Sequence, residues 1–345
     1  MDYLEDTSGY TCPDAFQSDS MHTLVNFQRF FIPLVYTVVF ILGFLGNSLV
    51  LLILMKYRHM RSTTENFLLH LALADLLMLT TFPFAITESV GGWIFGDFLC
   101  KFVGVINRIN FFCSSLLLGC ISVDRYMAII HAIHTFRSRR LVAVHLPCFG
   151  IWVFCLLLSL PNLFVLGVQK DGNITTCTYH QSHFPTNGWW QTGRFLNHIV
   201  GFLLPLMVMS FCYTQIVVAL CRSPRLEKKR AVRVAIVITG VFLLCWTPYN
   251  VTVFIDTLNQ QELVQSCTIQ QQLPIAITVT EFLGYVHCCL NPILYAFIGV
   301  KFRNDALRVL RRIRCMRSLV SGISLPIDKK SSASDSENGT VLYSF

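Results

Sequence analysis

Two short polar runs close long apolar stretches of this chain. Residues 124–126 read Asp-Arg-Tyr, and residues 291–295 read Asn-Pro-Ile-Leu-Tyr. Each run lies where an apolar helix meets a basic, solvated segment. Because ionisable and helix-bending residues are costly inside apolar helices, their placement predicts function. The two runs therefore predict an element that switches between two states.

More polar side chains lie within the apolar stretches. Asp75, with Asn47, Asn110, Ser114 and Asn291 on neighbouring stretches, predicts a buried polar cluster able to hold a sodium ion. A structural hydrogen-bond network with water is an equal alternative.

Glu281 precedes Asn291 by ten residues, which is about 15 Å along a helix. This spacing places Glu281 near the mouth of a helix bundle, where its carboxylate can pair with a ligand cation. An internal ion pair with Arg108 is the alternative. We favour the ligand role.

The elements that position these residues are seven long apolar stretches. They lie near residues 30–55, 67–88, 98–130, 141–166, 195–221, 231–257 and 272–298. Each exceeds or approaches the roughly 20 residues that cross a bilayer. Only 13% of residues are charged and the mean hydropathy is +0.56, which argues against a soluble domain. Continuous runs, rather than alternating short ones, argue against a membrane β-barrel. The predicted fold is an all-α seven-helix membrane bundle.

The bundle divides the chain into four predicted parts. An acidic N-terminal arm covers residues 1–29, the bundle covers 30–298, and a basic amphipathic eighth helix on the membrane surface covers 299–315. A disordered tail follows over 316–345.

Basic residues predict the orientation of the bundle. They concentrate near 56–61, 137–140, 222–233 and 301–317, which alternate with poorly basic loops. Because Lys and Arg near span ends stay in the cytoplasm, we expect an extracellular N-terminus in the plasma membrane. The net charge of +8 then reflects topology, not nucleic-acid binding.

Four of the fourteen cysteines are predicted to face the oxidising outer side: Cys12, Cys100, Cys177 and Cys267. Four cysteines allow three pairings. A Cys100–Cys177 bond would fix the loop after the fourth stretch over the bundle mouth. A Cys12–Cys267 bond would then tie the arm to the last outer loop.

The arm itself carries five acids and no Lys or Arg before Arg29. Such an arm favours a basic partner through long-range attraction, although a solvated tail is the alternative. Its candidate ligand contacts are Tyr3, Asp6, Tyr10 and Asp14, and either tyrosine is a candidate for sulfation. Asn173 lies in an outer-loop glycosylation sequon.

Motifs in all seven stretches resemble the rhodopsin-like class of G-protein-coupled receptors. The matching residues include Gly46-Asn47, Leu73-Ala74-Asp75-Leu76, Asp124-Arg125-Tyr126, Trp152, Pro205 with Tyr213, Cys245-Trp246-Thr247-Pro248 and Asn291-Pro292-Ile293-Leu294-Tyr295. Thr81-Phe82-Pro83, Glu281, His287-Cys288-Cys289 and the extra outer cysteines narrow the resemblance to chemokine receptors. Segments 254–258, 274–284, 299–303 and 334–340 resemble one CXC-type member in particular.

The resemblance implies the function and the site residues. A basic CXC chemokine would meet the arm and insert its N-terminus near Glu88, Arg108, Asp256 and Glu281. Activation would involve the residues Asp124, Arg125, Tyr126, Tyr213, Trp246, Pro248, Asn291, Pro292 and Tyr295. A heterotrimeric G protein of the inhibitory type would then bind at the cytoplasmic side.

His287 stands where most of the class has Asn, which changes the predicted sodium pocket. Cys315 is a palmitoylation candidate. The Ser-rich tail is a candidate for receptor kinases and arrestin. A scavenging receptor that does not signal and another peptide receptor are the alternatives. No segment outside the spans is long enough for an enzyme domain.

Overall fold

A computed structural model describes residues 14–56, 62–131, 141–172, 174–179, 189–222, 226–260 and 267–298, with residues 302, 304, 307 and 308. In chain order the elements are α1 (Asp14–Lys56), α2 (Thr63–Leu79), α3 (Phe82–Gly91), α4 (Gly96–Ile130), α5 (Leu141–Ser159), α6 (Asn162–Val165), β1 (Leu166–Asp171), β2 (Ile174–Tyr179), α7 (Trp189–Leu196), a π-helical segment (Asn197–Leu203), α8 (Leu204–Arg222), α9 (Leu226–Gln260) and α10 (Cys267–Ile298).

Seven of the helical segments are long and apolar enough to cross a membrane, as the sequence predicted. In order, spans one to seven are Asn26–Lys56, Thr63–Gly91, Gly96–Ile130, His145–Val165, Thr192–Ala219, Ala235–Asn259 and Gln272–Tyr295. The predicted fold class is confirmed. The eighth helix is not, because only four residues of 299–315 belong to the described part of the chain.

Helix α1 includes part of the predicted N-terminal arm of residues 1–29. It begins at Asp14 and continues without interruption into span one.

Proline explains where several spans change direction. In span two, Pro83 cannot donate to the carbonyl four residues earlier, and α2 ends at that residue, Leu79. In span five the π-helical segment comes immediately before Pro205, and the Leu204 N–H bonds to the Ile199 carbonyl. Both breaks therefore coincide with a proline that cannot donate a backbone hydrogen bond.

Small residues let the spans approach closely. A side chain at Gly46 would come 2.9 Å from Pro292, and one at Gly284 would come 2.9 Å from the Trp246 ring. Buried apolar side chains fill the centre, among them Leu71, Met78, Phe112, Leu117, Leu118 and Phe242. Large apolar side chains such as Leu45, Leu157 and Met207 are exposed on the outside, as contact with hydrocarbon requires.

An antiparallel hairpin of β1 and β2 covers one end of the bundle, which we call the hairpin face. Cys177 of β2 is joined to Cys100 at the start of span three by a disulfide with a Cα–Cα distance of 5.5 Å. The Glu88 carboxylate accepts the Cys177 N–H at 2.7 Å. The opposite end, which carries residues 124–126, is the Asp124 face.

Candidate functional site

A cavity of about 270 Å³ opens beneath the hairpin. Its walls carry three charged side chains of the predicted ligand set: Glu88 of span two, Arg108 of span three and Glu281 of span seven. The disulfide residues Cys100 and Cys177 also line it, so the covalent bond fixes the hairpin as part of the cavity wall.

A second cavity of about 290 Å³ lies towards spans four, five and six. The two cavities share Arg108, Tyr179, Tyr249 and Glu281 in their linings. The second adds Arg194 and other residues of span five. The two cavities together form a polar mouth. The shared arginine, carboxylate and two tyrosines lie between them.

Arg108 and Glu281 each bond to a tyrosine. The Arg108 guanidinium donates to Tyr179 Oη at 3.2 Å, and the Tyr285 hydroxyl donates to Glu281 Oε1 at 2.8 Å. Among the described residues, no ion pair joins Arg108 to Glu281. The internal ion pair considered above is therefore not formed, and a cation and an anion remain available to groups on a ligand.

Glu88 and Asp256 have partners that the sequence did not predict. Glu88 lines the first cavity while it supports the Cys177 backbone. Asp256 forms an ion pair with Arg194 at 2.5 Å, and Arg194 also donates to Thr257 Oγ1 at 3.2 Å. A ligand that binds Asp256 must therefore compete with Arg194.

Several predicted residues lie outside the described residues. They are Cys12, Tyr3, Asp6 and Tyr10 of the arm, Asn173 of the hairpin turn, and Cys315. The side chains of Asp14 and Cys267 are also outside the described part, so the Cys12–Cys267 bond stays a prediction.

Trp246 forms the floor of the first cavity. Its ring packs against Phe111 at a centroid distance of 4.8 Å and against Tyr285 at 5.9 Å. Its Nε1 donates towards His287 Nδ1 at 3.2 Å. Trp246 therefore separates the cavity from a polar cluster deeper in the bundle.

Asp75 is the centre of that cluster and is fully buried. Asn110 Nδ2 donates to Asp75 Oδ1 at 3.2 Å, and Asn291 Nδ2 donates to Oδ2 at 3.0 Å. Cys288 Sγ lies 3.3 Å from Oδ1, and His287 Nε2 lies 3.6 Å from it. Spans two, three and seven thus meet at one carboxylate.

Asn47 joins span one to this cluster for a specific reason. Pro292 has no N–H, so the carbonyl of Cys288 lacks its helical donor. Asn47 Nδ2 replaces that donor at 2.8 Å. The polar residues of the sequence prediction therefore lie together across four spans.

The cluster also contains buried oxygens with no partner among the described residues: Asn47 Oδ1, Asn110 Oδ1 and Asn291 Oδ1. The Ser114 hydroxyl, four residues after Asn110 on the same helix, is likewise buried without a partner in the described part of the chain. Buried polar atoms normally have partners. Several oxygens around a carboxylate suit a hard cation such as sodium. The residues present therefore fit the predicted ion.

At the Asp124 face, three donors converge on one oxygen. Arg125 Nη2 lies 2.5 Å from Asp124 Oδ2 and its Nε lies 3.1 Å away. The Thr64 hydroxyl of span two donates to the same oxygen at 2.6 Å. The arginine is thereby folded back along its own helix.

The remaining predicted switch residues are three tyrosines towards this face, Tyr126, Tyr213 and Tyr295, and Pro248, which lies deeper in the bundle near Trp246. Tyr213 of span five shares a 3.1 Å hydrogen bond with Thr239 of span six. Tyr126 packs against Phe211 at 5.8 Å. The Tyr295 hydroxyl is buried without a partner among the described residues. Pro248 lies inside the helix of span six, two residues after Trp246.

Comparison with known proteins assigns this arrangement to a family. The family model described as 7 transmembrane receptor (rhodopsin family) matches residues 46–295. The chain belongs to this family. The sequence motifs predicted membership of this family, and that prediction is confirmed.

Curated relatives narrow the assignment. C-X-C chemokine receptor type 5 of Mus musculus is 47% identical over 93% of the chain and 87% of the relative. The human type 5 receptor is 44% identical over 100% of the chain and 94% of its own length. The Bos taurus type 3 receptor is 41% identical over 91% of the chain and 85% of its length. The CXC-type member that four sequence segments resemble is type 5, in agreement with these values.

The chain is therefore a chemokine receptor, a multi-pass plasma-membrane protein whose partners are a chemokine and a G protein. The prediction that it is not an enzyme is confirmed, because the family consists of receptors.

The sequence prediction for this receptor missed Tyr179, Arg194, His198 and Thr64. His198 Nδ1 donates to Asn250 Oδ1 at 3.2 Å, and Asn250 Nδ2 donates to the Trp246 carbonyl at 2.9 Å. A histidine inside an apolar span was the available signal, because such residues mark functional positions. Thr64 gave no comparable signal.

Proposed function

We propose that this chain binds a basic CXC-type chemokine and activates an inhibitory-type heterotrimeric G protein to drive cell migration. The best candidate ligand is the B-lymphocyte chemoattractant. The similarity to type 5 receptors over nearly the whole chain supports the ligand class. The charged mouth beneath the hairpin supports insertion of a peptide.

The hairpin face is extracellular in this proposal, with the N-terminus on the same side. The disulfide of Cys100 and Cys177 supports it, since disulfides persist in oxidising compartments. The acidic arm, with Tyr3, Asp6 and Tyr10, attracts the chemokine before its N-terminus enters the mouth. Asn173 would then be on the side where glycosylation takes place.

The mouth supplies both charges that a peptide N-terminus needs. Its ammonium group pairs with Glu281, while Arg108 binds a carbonyl or acidic group of the peptide. A ligand that binds the active conformation more tightly shifts an existing equilibrium towards it. A ligand that displaces the Trp246 side chain moves span six at Pro248. The Arg125 guanidinium then separates from the Asp124 carboxylate.

A sodium ion is the proposed allosteric cofactor of the inactive state. Asp75 would neutralise its charge, and Asn110, Ser114 and Asn291 would offer oxygens. At the cytoplasmic side, receptor kinases and arrestin act on the Ser-rich tail, and a palmitoyl group on Cys315 anchors it.

The observation that carries the proposal is the line of contacts from mouth to cluster. Glu281 bonds Tyr285, whose ring packs on Trp246, and Trp246 contacts His287 beside Asp75. Binding at one end of the bundle can thus reach the residues that position span seven.

The test is inhibition of cyclic AMP in cells that express this chain, challenged with a panel of CXC chemokines. We expect one chemokine to give a response that Arg125→Ala abolishes, because the arginine is the group released at the G-protein side. Chemokine binding and surface expression of the variant serve as controls and should be retained. Chemokine uptake without any response in the unmodified chain would instead indicate a scavenging receptor.

A further inference from the structure

Three potential metal ligands meet in the buried cluster: Asp75, His287 and Cys288. Asp75 Oδ1 lies 3.6 Å from His287 Nε2 and 3.3 Å from Cys288 Sγ, and the sulfur lies 3.6 Å from Nε2. All three residues are fully buried. Oxygen, nitrogen and sulfur thus form a nearly equilateral triangle.

The triangle has the size of one face of a zinc tetrahedron. Zinc bonds of about 2.0–2.1 Å to oxygen and nitrogen and about 2.3 Å to sulfur place neighbouring ligand atoms roughly 3.3–3.6 Å apart. The observed separations of 3.3, 3.6 and 3.6 Å match these values. The sulfur also lies 3.8 Å from His287 Nδ1, so metal binding requires the imidazole to turn until the Nε2 lone pair points between the oxygen and the sulfur.

The backbone selects the histidine nitrogen that faces the triangle. The Gly284 carbonyl lies 2.5 Å from His287 Nδ1. Since a carbonyl only accepts, this contact places the proton on Nδ1 and leaves the lone pair of Nε2 for a metal. Carbonyl partners of this kind orient histidine ligands in metal sites. Asn110 and Asn291 orient the Asp75 carboxylate in the same way.

Charge balance also suits a divalent ion. Binding would release the thiol proton of Cys288 to solvent and form a metal–thiolate bond. A divalent cation with one thiolate and one carboxylate is neutral overall, which lowers the cost of burial. Sodium with Asp75 and a neutral thiol is neutral as well, but only the divalent ion uses the sulfur and imidazole.

We propose that Asp75, His287 and Cys288 form a zinc-type binding site that excludes sodium, because both ions need the same carboxylate. The site is linked to Trp246 through His287. Trp246 Nε1 donates towards the same Nδ1 at 3.2 Å, which requires the opposite histidine tautomer. A metal on Nε2 fixes the proton on Nδ1, so Trp246 loses this acceptor.

The test is titration of Co²⁺, a coloured substitute for Zn²⁺, into the purified full-length receptor in sodium-free lipid nanodiscs. We expect one equivalent to bind with a thiolate-to-cobalt charge-transfer band that Zn²⁺ removes. Cys288→Ser should abolish the band and weaken binding by at least about tenfold. Cys289→Ser, which changes the adjacent buried cysteine, is the matched control and should keep both.

A band that persists in Cys288→Ser, or that disappears equally in Cys289→Ser, would overturn the proposal. Thermal unfolding without metal checks that each variant is folded. His287→Gln provides a second variant that should also weaken Co²⁺ binding. Sodium should reduce the band in competition. The readout needs no chemokine, so its failure would be separate from failure of the proposed receptor function.

Discussion

Two aspartates in neighbouring regions of the bundle are stabilised in opposite ways. Asp75 is fully buried and accepts from two asparagine amides and a thiol. Asp124 is partly exposed and pairs with the arginine next to it in the chain. One carboxylate is surrounded by neutral groups from other spans, and the other by a cation on its own helix.

Asp75 is therefore suited to bind an ion, whereas the Asp124–Arg125 ion pair, which we call the latch, is suited to open and close. The hydrogen-bond donors to Asp75 are neutral, so the cation that we propose for this region would balance the charge of the carboxylate. At Asp124 the cation is already present and belongs to a long, flexible side chain. That side chain can swing away, whereas the partners of Asp75 can separate only if whole spans move.

Removal of the Asp75 carboxylate should have the largest effect. Asp75→Ala leaves the amides of Asn110 and Asn291 and the Cys288 thiol without their acceptor. We expect a loss of about 3 kcal/mol in unfolding free energy, measured as a lowered melting temperature of the purified receptor. The control is Asp97→Ala, whose exposed carboxylate pairs with Lys101 and accepts the Val168 N–H at 3.2 Å, and whose loss should cost less than about 1 kcal/mol. Equal losses would contradict the special role of the buried site.

A smaller effect is expected at the latch. Thr64→Val keeps the shape of the side chain but removes the donor to Asp124 Oδ2. A hydrogen bond to a charged group contributes about 1.5 kcal/mol, which is roughly tenfold in the ratio of released to closed arginine. Basal inhibition of cyclic AMP, without chemokine and corrected for surface expression, should rise accordingly.

Thr63→Val is the matched control, because the neighbouring threonine makes no described bond to Asp124. Its basal signal should equal that of the unmodified receptor. If Thr64→Val also leaves the basal signal unchanged, Thr64 does not restrain the arginine and the latch consists of Arg125 alone.

The sequence could predict the spans and much of the central cluster for a physical reason. Long apolar stretches are recognisable without knowledge of packing, and burial cost singles out Asp75, Asn110 and Asn291 as residues that must meet. The effect of a proline can likewise be worked out along one helix, and α2 ends four residues before Pro83. Each of these inferences uses only the residue types along a single helix.

Contacts that depend on helix rotation could not be predicted. Thr64 reaches Asp124 and Arg194 reaches Asp256 only because neighbouring spans have particular rotations and offsets. The π-helical segment before Pro205 changes the rotation of span five, and no residue pattern predicted this segment. The same limit explains why the bond from the hairpin backbone to Glu88 was not predicted.

The smallest effect is expected at a third carboxylate, Asp256. Its ion pair joins two spans, whereas the Asp124–Arg125 pair lies within one helix. Like Asp124 it lies 2.5 Å from an arginine, but Arg194 belongs to another span. A double-mutant cycle of Arg194→Gln and Asp256→Asn should give a coupling of about 1 kcal/mol, because both side chains are only 15% exposed. The exposed pair Asp97–Lys101 should give less than about 0.5 kcal/mol in the same melting-temperature assay. Equal couplings would mean that a chemokine can displace Arg194 from Asp256 at almost no cost, whereas the larger value makes this ion pair a barrier that the ligand must overcome.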